Sequence, residues 1–332
     1  MTVEAFQIAL RGRGQWVSLD PADARLATLG GVLATNASGP RRHLYGTARD
    51  LLIGVTVVTA DGTVVRGGGK VVKNVAGYDL PKLFVGSYGT LGVIVEATVK
   101  LRPLPDHERL VCIPFERLKD AGAAVRALLA SDLIPNAIEL LDAPAGAALG
   151  AESPGLVVGF DGLREQVDWQ CAELNRLAVA CGGQEGRPLP DDAWPRLETA
   201  ARAAFPVAAA VMSFSVLPSQ VADLMEQGAG GARARGLASA WAAHAGVGVV
   251  RAAVGSDFRP KEPSAIAAVL REWRELARAG GGHGTLEWAP LAVKSQVPVW
   301  DDPGAAVRIM ERIKAQLDPR NILNPGRFVA GI

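Results

Sequence analysis

Apolar positions recur along this chain with two periods, and their mix changes near residue 105. Val3, Phe6 and Leu10 share one face at helical spacing, which predicts a short helix over residues 3–10. Residues 51–65 read as two strands around Ala60-Asp61-Gly62, because Asp-Gly between apolar runs marks a tight hairpin. Residues 93–101 alternate and predict a strand, after which Pro103 and Pro105 mark a boundary. From Arg109 onward strands and helices follow in two rounds. The first round places strands at 111–113, 137–141 and 156–160 and helices at 121–130 and 165–181. The second places strands near 207–216, 239–245 and 247–254 and a helix near 220–227. A further helix, with Ser264 as its N-cap, carries Ile266, Val269, Leu270, Trp273 and Leu276 and stops at Gly280. Two such rounds predict an antiparallel sheet with helices on one face. A last helix is expected over 304–317.

Composition narrows the function without naming it. At 332 residues there is room for two domains. Lys and Arg number 35 against 34 Asp and Glu, so the net charge of +1 argues for neither nucleic acid nor an anionic membrane surface. The longest apolar stretches are broken by Pro206, His244 or Arg251 and are too short to span a bilayer. Cys112, Cys171 and Cys181 are scattered and odd in number, which suits a reducing cytoplasm. His43, His107, His244 and His283 lie far apart, with no Cys-x-x-Cys and no His-Glu-x-x-His, so no metal is expected.

Two glycine clusters carry the candidate chemistry. Gly86-Ser87-Tyr88-Gly89-Thr90-Leu91-Gly92 stands directly before the 93–101 strand, and residues 29–39 read LGGVLATNASG. Glycines so spaced let backbone approach a ligand and present N–H groups to phosphate. An ordinary turn explains the spacing alone equally well. A Rossmann reading fails, since no G-x-G-x-x-G occurs. A phosphate-loop reading of Gly67-Gly68-Gly69-Lys70 fails too: Val64 replaces the first glycine, and Val71 stands where Ser or Thr would bind magnesium.

Taken as a set, the motifs resemble a known family. They are Thr28-Leu29-Gly30-Gly31, Ser38-Gly39-Pro40-Arg41-Arg42, Tyr45-Gly46, Arg49-Asp50, Lys73-Asn74-Val75-Ala76-Gly77-Tyr78-Asp79, the 86–92 cluster, Leu317-Asp318-Pro319 and Ile322-Leu323-Asn324-Pro325-Gly326-Arg327-Phe328. The resemblance is to the vanillyl-alcohol-oxidase, or PCMH-type, FAD-binding family, and within it to the flavin subunits of bacterial glycolate oxidases. It is dense in the first hundred and final twenty residues and thin between.

The resemblance implies an α+β chain. The second subdomain of a PCMH-type FAD-binding domain would occupy residues 1–104 and an α+β ferredoxin-like cap 105–303, with a helix and tail over 304–332 returning to the FAD domain. Relatives have a βαβ stretch with a glycine-rich turn ahead of Thr28, so the chain from Met1 is expected to form an N-terminally incomplete flavin domain with weakened retention. The implied cofactor is non-covalent FAD. Its implied contacts are Thr28, Leu29, Gly30, Gly31, Ala34, Asn36, Ala37, Ser38, Gly39, Gly46, Gly86, Ser87, Gly89, Thr90, Gly92, Ile94 and Asn324.

The implied role is the flavin subunit of a glycolate, or 2-hydroxy acid, dehydrogenase complex. Hydride would leave the substrate's C2 for flavin N5, and electrons would pass to an iron–sulfur subunit, beside a catalytic flavin subunit. The implied location is the cytoplasm, with peripheral attachment to the inner membrane through partners. Catalytic relatives carry a His-x-His pair in the cap. Here a lone His283 in a glycine loop is the catalytic candidate, and a structural role fits it as well. Tyr88 stands where those relatives have an acidic residue. Two alternatives remain open: an interaction subunit that has lost tight flavin binding, and a self-sufficient FAD oxidase of another alcohol.

Overall fold

A computed structural model describes residues 1–71, 78–151, 153–255 and 262–332. The chain divides into two units, Met1–Leu104 with Asp302–Ile332, and Pro105–Asp301. The motif residues Lys73, Asn74, Val75, Ala76 and Gly77 lie outside the described residues.

The first unit runs through α1 (Val3–Arg11), β1 (Gln15–Trp16), α2 (Leu29–Thr35), α3 (Arg42–Tyr45), α4 (Ala48–Leu51), β2 (Leu52–Val58), β3 (Val64–Gly68), α5 (Leu80–Phe84), β4 (Val93–Val99) and β5 (Arg102–Pro103). Val3 and Leu10 of α1 are buried, as their spacing predicted. The sheet order is β3-β2-β4, all antiparallel. The β2–β3 turn is locked by Asp61, whose Oδ1 accepts from Thr59 Oγ1 at 2.6 Å and from Thr63 N at 3.0 Å. Val17, Leu33, Leu51, Val57 and Phe84 form the centre of this unit's core.

The second unit contains β6 (His107–Pro114), α6 (Leu118–Leu129), β7 (Ala137–Leu141), α7 (Ala143–Gly146), β8 (Gly155–Gly162), α8 (Arg164–Ala180), β9 (Arg187–Leu189), α9 (Trp194–Ala203), β10 (Ala208–Ser215), α10 (Val221–Ala234), β11 (Ser239–His244), β12 (Val249–Gly255), α11 (Pro263–Ala279), β13 (His283–Trp288) and α12 (Leu291–Lys294). Eight strands form one antiparallel sheet in the order β13-β10-β12-β11-β7-β8-β6-β9. Helices α6, α8, α10 and α11 supply the core on one face, around Ile113, Phe160, Trp241 and Trp273. The Trp273 indole donates to Gly228 O at 2.8 Å, and its ring meets Trp241 edge-on at 4.6 Å.

Helical cover on one face alone is corrected by a second apolar cluster on the opposite face. There α7 and α9 bring Ala145, Leu197, Ala200 and Ala201 against Leu110, Leu141, Val157, Ala240 and Ala253. This interface is built largely of alanine, which lets a helix lie close to a sheet and leaves a faint hydrophobic period in the sequence. Ser264 is not the N-cap of α11: the helix starts at Pro263, a residue pre-set for the first turn, and Ser264 lies inside it.

The first unit is completed by α13 (Val307–Leu317), preceded by a short 3₁₀ turn over Gly304–Ala306.

Candidate functional site

The 29–39 segment is not the loop its glycines suggest. Thr28 caps α2, its Oγ1 accepting from Gly31 N at 3.1 Å, so Leu29, Gly30, Gly31 and Ala34 are helical and the Gly31 amide is already engaged. Gly30 faces β4: a Cβ built on it would lie 3.9 Å from Ile94 O. The helix ends at Asn36, held at φ 53°. Its last carbonyls would be orphaned there without outside donors. The 86–92 loop supplies them, with Gly86 N donating to Leu33 O at 3.1 Å and Tyr88 N to Ala34 O at 2.8 Å.

The loop is therefore a structural partner of α2. Ser87 N donates to Phe84 O and Thr90 N to Ser87 O. Both hydroxyls point inward as well, Ser87 Oγ donating to Phe84 O at 2.8 Å and Thr90 Oγ1 to Ser87 O at 2.8 Å. The expectation that this glycine cluster presents its N–H groups to phosphate is corrected at 86, 87, 88 and 90, whose amides donate to α2, to Phe84 of α5 and within the loop. Gly92 serves packing: a Cβ there would meet Val57 Cγ1 at 2.3 Å.

The tail reaches the same loop. Asn324 Nδ2 donates to Tyr88 O at 2.7 Å, and the Tyr88 and Phe328 rings lie 5.7 Å apart. Gly89 sits at φ +70°, where a Cβ would also crowd Asn324 Nδ2 at 2.8 Å. An open cavity of about 160 Å3 beside the loop is walled by Leu83, Val85, Leu91, Met310, Ile313 and Phe328.

On the other side of α2, Ala37 N donates to Val32 O, and Asn36 Oδ1 accepts from Arg49 N at 3.0 Å. Asp20 shapes the following bend, its carboxylate accepting from Gly39 N at 3.1 Å and Arg41 N at 2.9 Å. Gly39 packs so tightly on this residue that a Cβ would fall 2.0 Å from Asp20 O. Gly46 ends α3 beside the Thr47–Asp50 capping box. Burial pushes the Asp50 carboxyl up, but hydrogen bonds from Thr47 and the charges of Lys82 and Arg49 outweigh it and hold it below its usual range. Burial lowers the pKa of His43, keeping it neutral.

Two buried polar atoms in this bend, Ser38 Oγ and His43 Nδ1, have no hydrogen-bonding partner among the described residues. An unpaired buried polar atom is costly, and a bound ligand with polar edges would satisfy it. The small residues of α2 and the bend, together with these two atoms, fit a planar polar-edged group such as a flavin.

Other groups stand apart. His283 is not in a glycine loop. It opens β13, an edge strand of the second unit, paired with Ser215 and exposed. His244, passed over in the sequence, is buried on the second unit's sheet. Its Nδ1 lies 2.8 Å from Glu139 Oε1 and its Nε2 3.0 Å from Glu198 Oε2. Burial disfavours its charge, but the two carboxylates outweigh this and push its pKa up to about 9. Arg251 continues the chain to Glu198 at 2.7 Å and Glu287 at 3.2 Å. No group of His, Cys, Asp and Glu among the described residues could hold a metal ion.

Lys314 and the role of Asp318 were not legible in the sequence: their i,i+4 spacing hints only at the ion pair, and the contacts to Thr90 O and Leu323 O leave no pattern.

The profile for the C-terminal domain of FAD linked oxidases matches residues 104–328, and that for the FAD binding domain matches residues 1–68. The chain belongs to the FAD-linked oxidase family, whose cofactor is FAD, and its fold is α+β of the PCMH type. Among its relatives, glycolate oxidase subunit GlcD of Bacillus subtilis is 30% identical, over 97% of this chain and 72% of its own length. The mitochondrial D-lactate dehydrogenase [cytochrome] of Arabidopsis thaliana is 29% identical, over 95% of this chain, which spans 58% of it. The substrate-bound structure of p-cresol methylhydroxylase superposes with a TM-score of 0.74 at 18% identity, covering 98% of this chain and 74% of that one, which shows the shared fold. No helix among the described residues is long and apolar enough to cross a membrane.

Proposed function

We propose that this chain is the FAD-binding subunit of a 2-hydroxy acid dehydrogenase complex, of the glycolate and D-lactate type, working beside a catalytic flavin subunit and passing electrons to an iron–sulfur partner. The observation that carries the cofactor site is a convergence within the first unit: α2 and its bend, the 86–92 loop and Asn324 meet, although Tyr88 and Asn324 alone are 236 positions apart in sequence. FAD, when bound, supplies a two-electron acceptor. The chain's part is to hold it. Ser38 Oγ and His43 Nδ1 give it polar partners, the small residues of α2 and the bend give it close backbone, and the apolar wall beside 86–92 keeps water away.

The division of labour rests on the second unit. Both ring nitrogens of His244 are engaged by carboxylates, and the ring is charged at neutral pH, so it has no capacity to take a proton from a hydroxy acid. Arg251, whose guanidinium would suit a substrate carboxylate, is held by Glu198 and Glu287. The proposal places the reaction in a cytoplasmic complex attached to the membrane through partners.

The test is anaerobic titration of the FAD-loaded chain with glycolate and with D-lactate, alone and after adding the catalytic flavin and iron–sulfur subunits. The flavin is expected to stay oxidised alone and to bleach in the assembled complex. Rapid bleaching by the chain alone overturns the division of labour, and absence of bound flavin overturns the cofactor site.

A further inference from the structure

We infer that Lys314 is the positioning residue that fixes the 86–92 loop in place for FAD, by tying the loop and the C-terminal turn to one buried ammonium. This rests on the reading of that loop as part of the FAD site.

Lys314 lies on α13, and its side chain is 9% exposed. An ammonium carries three donors, and here all three are used by different segments. Nζ donates to Thr90 O at 2.9 Å, to Leu323 O at 2.8 Å and to Asp318 Oδ2 at 2.6 Å. Asp318 is itself buried and accepts from Ile322 N at 3.0 Å and Leu323 N at 2.8 Å. The ammonium thus joins the loop, the helix and the turn that carries Asn324. Asn324 then makes the second tie, to Tyr88 O. Thr90 O and Tyr88 O flank Gly89, so the two ties grip the loop on both sides of its left-handed glycine.

An apolar residue at 314 would leave Thr90 O and Leu323 O without this donor and the Asp318 carboxylate with only the Ile322 and Leu323 amides. The loop's other described ties run to α2, to Phe84 of α5, within itself, and from Tyr88 to Asn324 and Phe328. The loop would keep its α2 and α5 contacts and lose its anchor at 90, and the Leu323 end of the turn that positions Asn324 would lose its donor as well. Lys314 touches the loop's backbone, so its effect on FAD passes through loop geometry.

The test compares the full chain with Lys314→Met and with Lys314→Met/Asp318→Asn, the second variant removing the stranded carboxylate should the first fold poorly. Two quantities are read. Amide hydrogen exchange over 86–92 is measured without FAD, and the FAD dissociation constant is measured by fluorescence quenching. Exchange at least about tenfold faster and FAD binding at least about tenfold weaker, with circular dichroism unchanged, are expected from the loss of buried hydrogen bonds. Unchanged exchange and unchanged affinity overturn the inference. Weaker FAD with unchanged exchange overturns it too, because Lys314 would then act by another route. Faster exchange with unchanged affinity overturns it as well, and locates the failure in the reading of the loop as an FAD site. If the wild-type chain binds no FAD, that reading fails with the inference, even where the exchange data show the tie to the loop.

Discussion

Two buried charge clusters, one from each unit, are held in different styles: Lys314 with Asp318, and the group around His244. In the first, Lys314 and Asp318 turn almost wholly to backbone: two carbonyls and two amides take up what the pair does not share. In the second, Glu139, His244, Glu198, Arg251 and Glu287 pair side chain to side chain. The reason is where each unit's backbone is already satisfied. His244 and Arg251 stand on sheet strands whose ladders pair their own peptide groups. The first unit's tail and glycine loop have no ladder, so buried ions do for irregular backbone what strands do for each other. Charge knits regular elements in the His244 cluster and replaces regular structure around Lys314.

The contrast is broken most severely at His244. Replacing it with Phe removes the imidazolium between Glu139 and Glu198, leaving Glu198 only its Arg251 partner, and about 3–5 kcal/mol of stability is expected to be lost in denaturant unfolding. A loss under about 1 kcal/mol would show that the cluster is not maintained by charge. The pH dependence sharpens the comparison because the two clusters fail at opposite ends. The pKa of His244 is raised in the folded chain, so its contribution is complete below the ordinary value of 6.5 and disappears as pH rises through about 9. For Asp318, burial works to raise the pKa, but Lys314 and the Leu323 and Ile322 amides lower it. Its contribution is complete above the ordinary value of 3.8 and is lost as pH falls through the lowered one. Melting curves from pH 5 to 10 should fall on the alkaline side in the wild type and flatten in His244→Gln.

A smaller effect is expected at Gly89→Val. The left-handed backbone costs a branched residue about 1–2 kcal/mol, and the side chain displaces Asn324. Flavin retention should be lost with circular dichroism largely intact, and retained flavin would remove Gly89 from the site. The smallest is His283→Ala, at an exposed strand end, with a change within about 0.5 kcal/mol and no effect on flavin content.

Legibility in the sequence followed these physical lines. Strands with alternating or continuous apolar residues, such as Ala137–Leu141 and Val93–Val99, showed their period, and Asp61-Gly62 showed its turn. Helix α9 did not, because its buried face holds one leucine beside two alanines and the charged Glu198. Helix α2 was hidden by its glycines, although Thr28 with a donor three residues on was a readable cap. Asn324 was read through the terminal motif, while Lys314 was not, because its partners are backbone atoms of residues 90 and 323, which no side-chain pattern records. The His244 cluster escaped for a related reason. Glu139 and Glu198 are 105 and 46 residues away in sequence, and the register of β7 with β11 brings the first of them opposite.

The central claim is that FAD lies against α2, its bend, the 86–92 loop and the turn at Asn324. Hydrogen exchange of the whole chain with and without saturating FAD tests it most directly. The account predicts protection concentrated in residues 28–46, 86–94 and 318–328. Protection confined to residues 105–301, or none at saturating FAD, would contradict it.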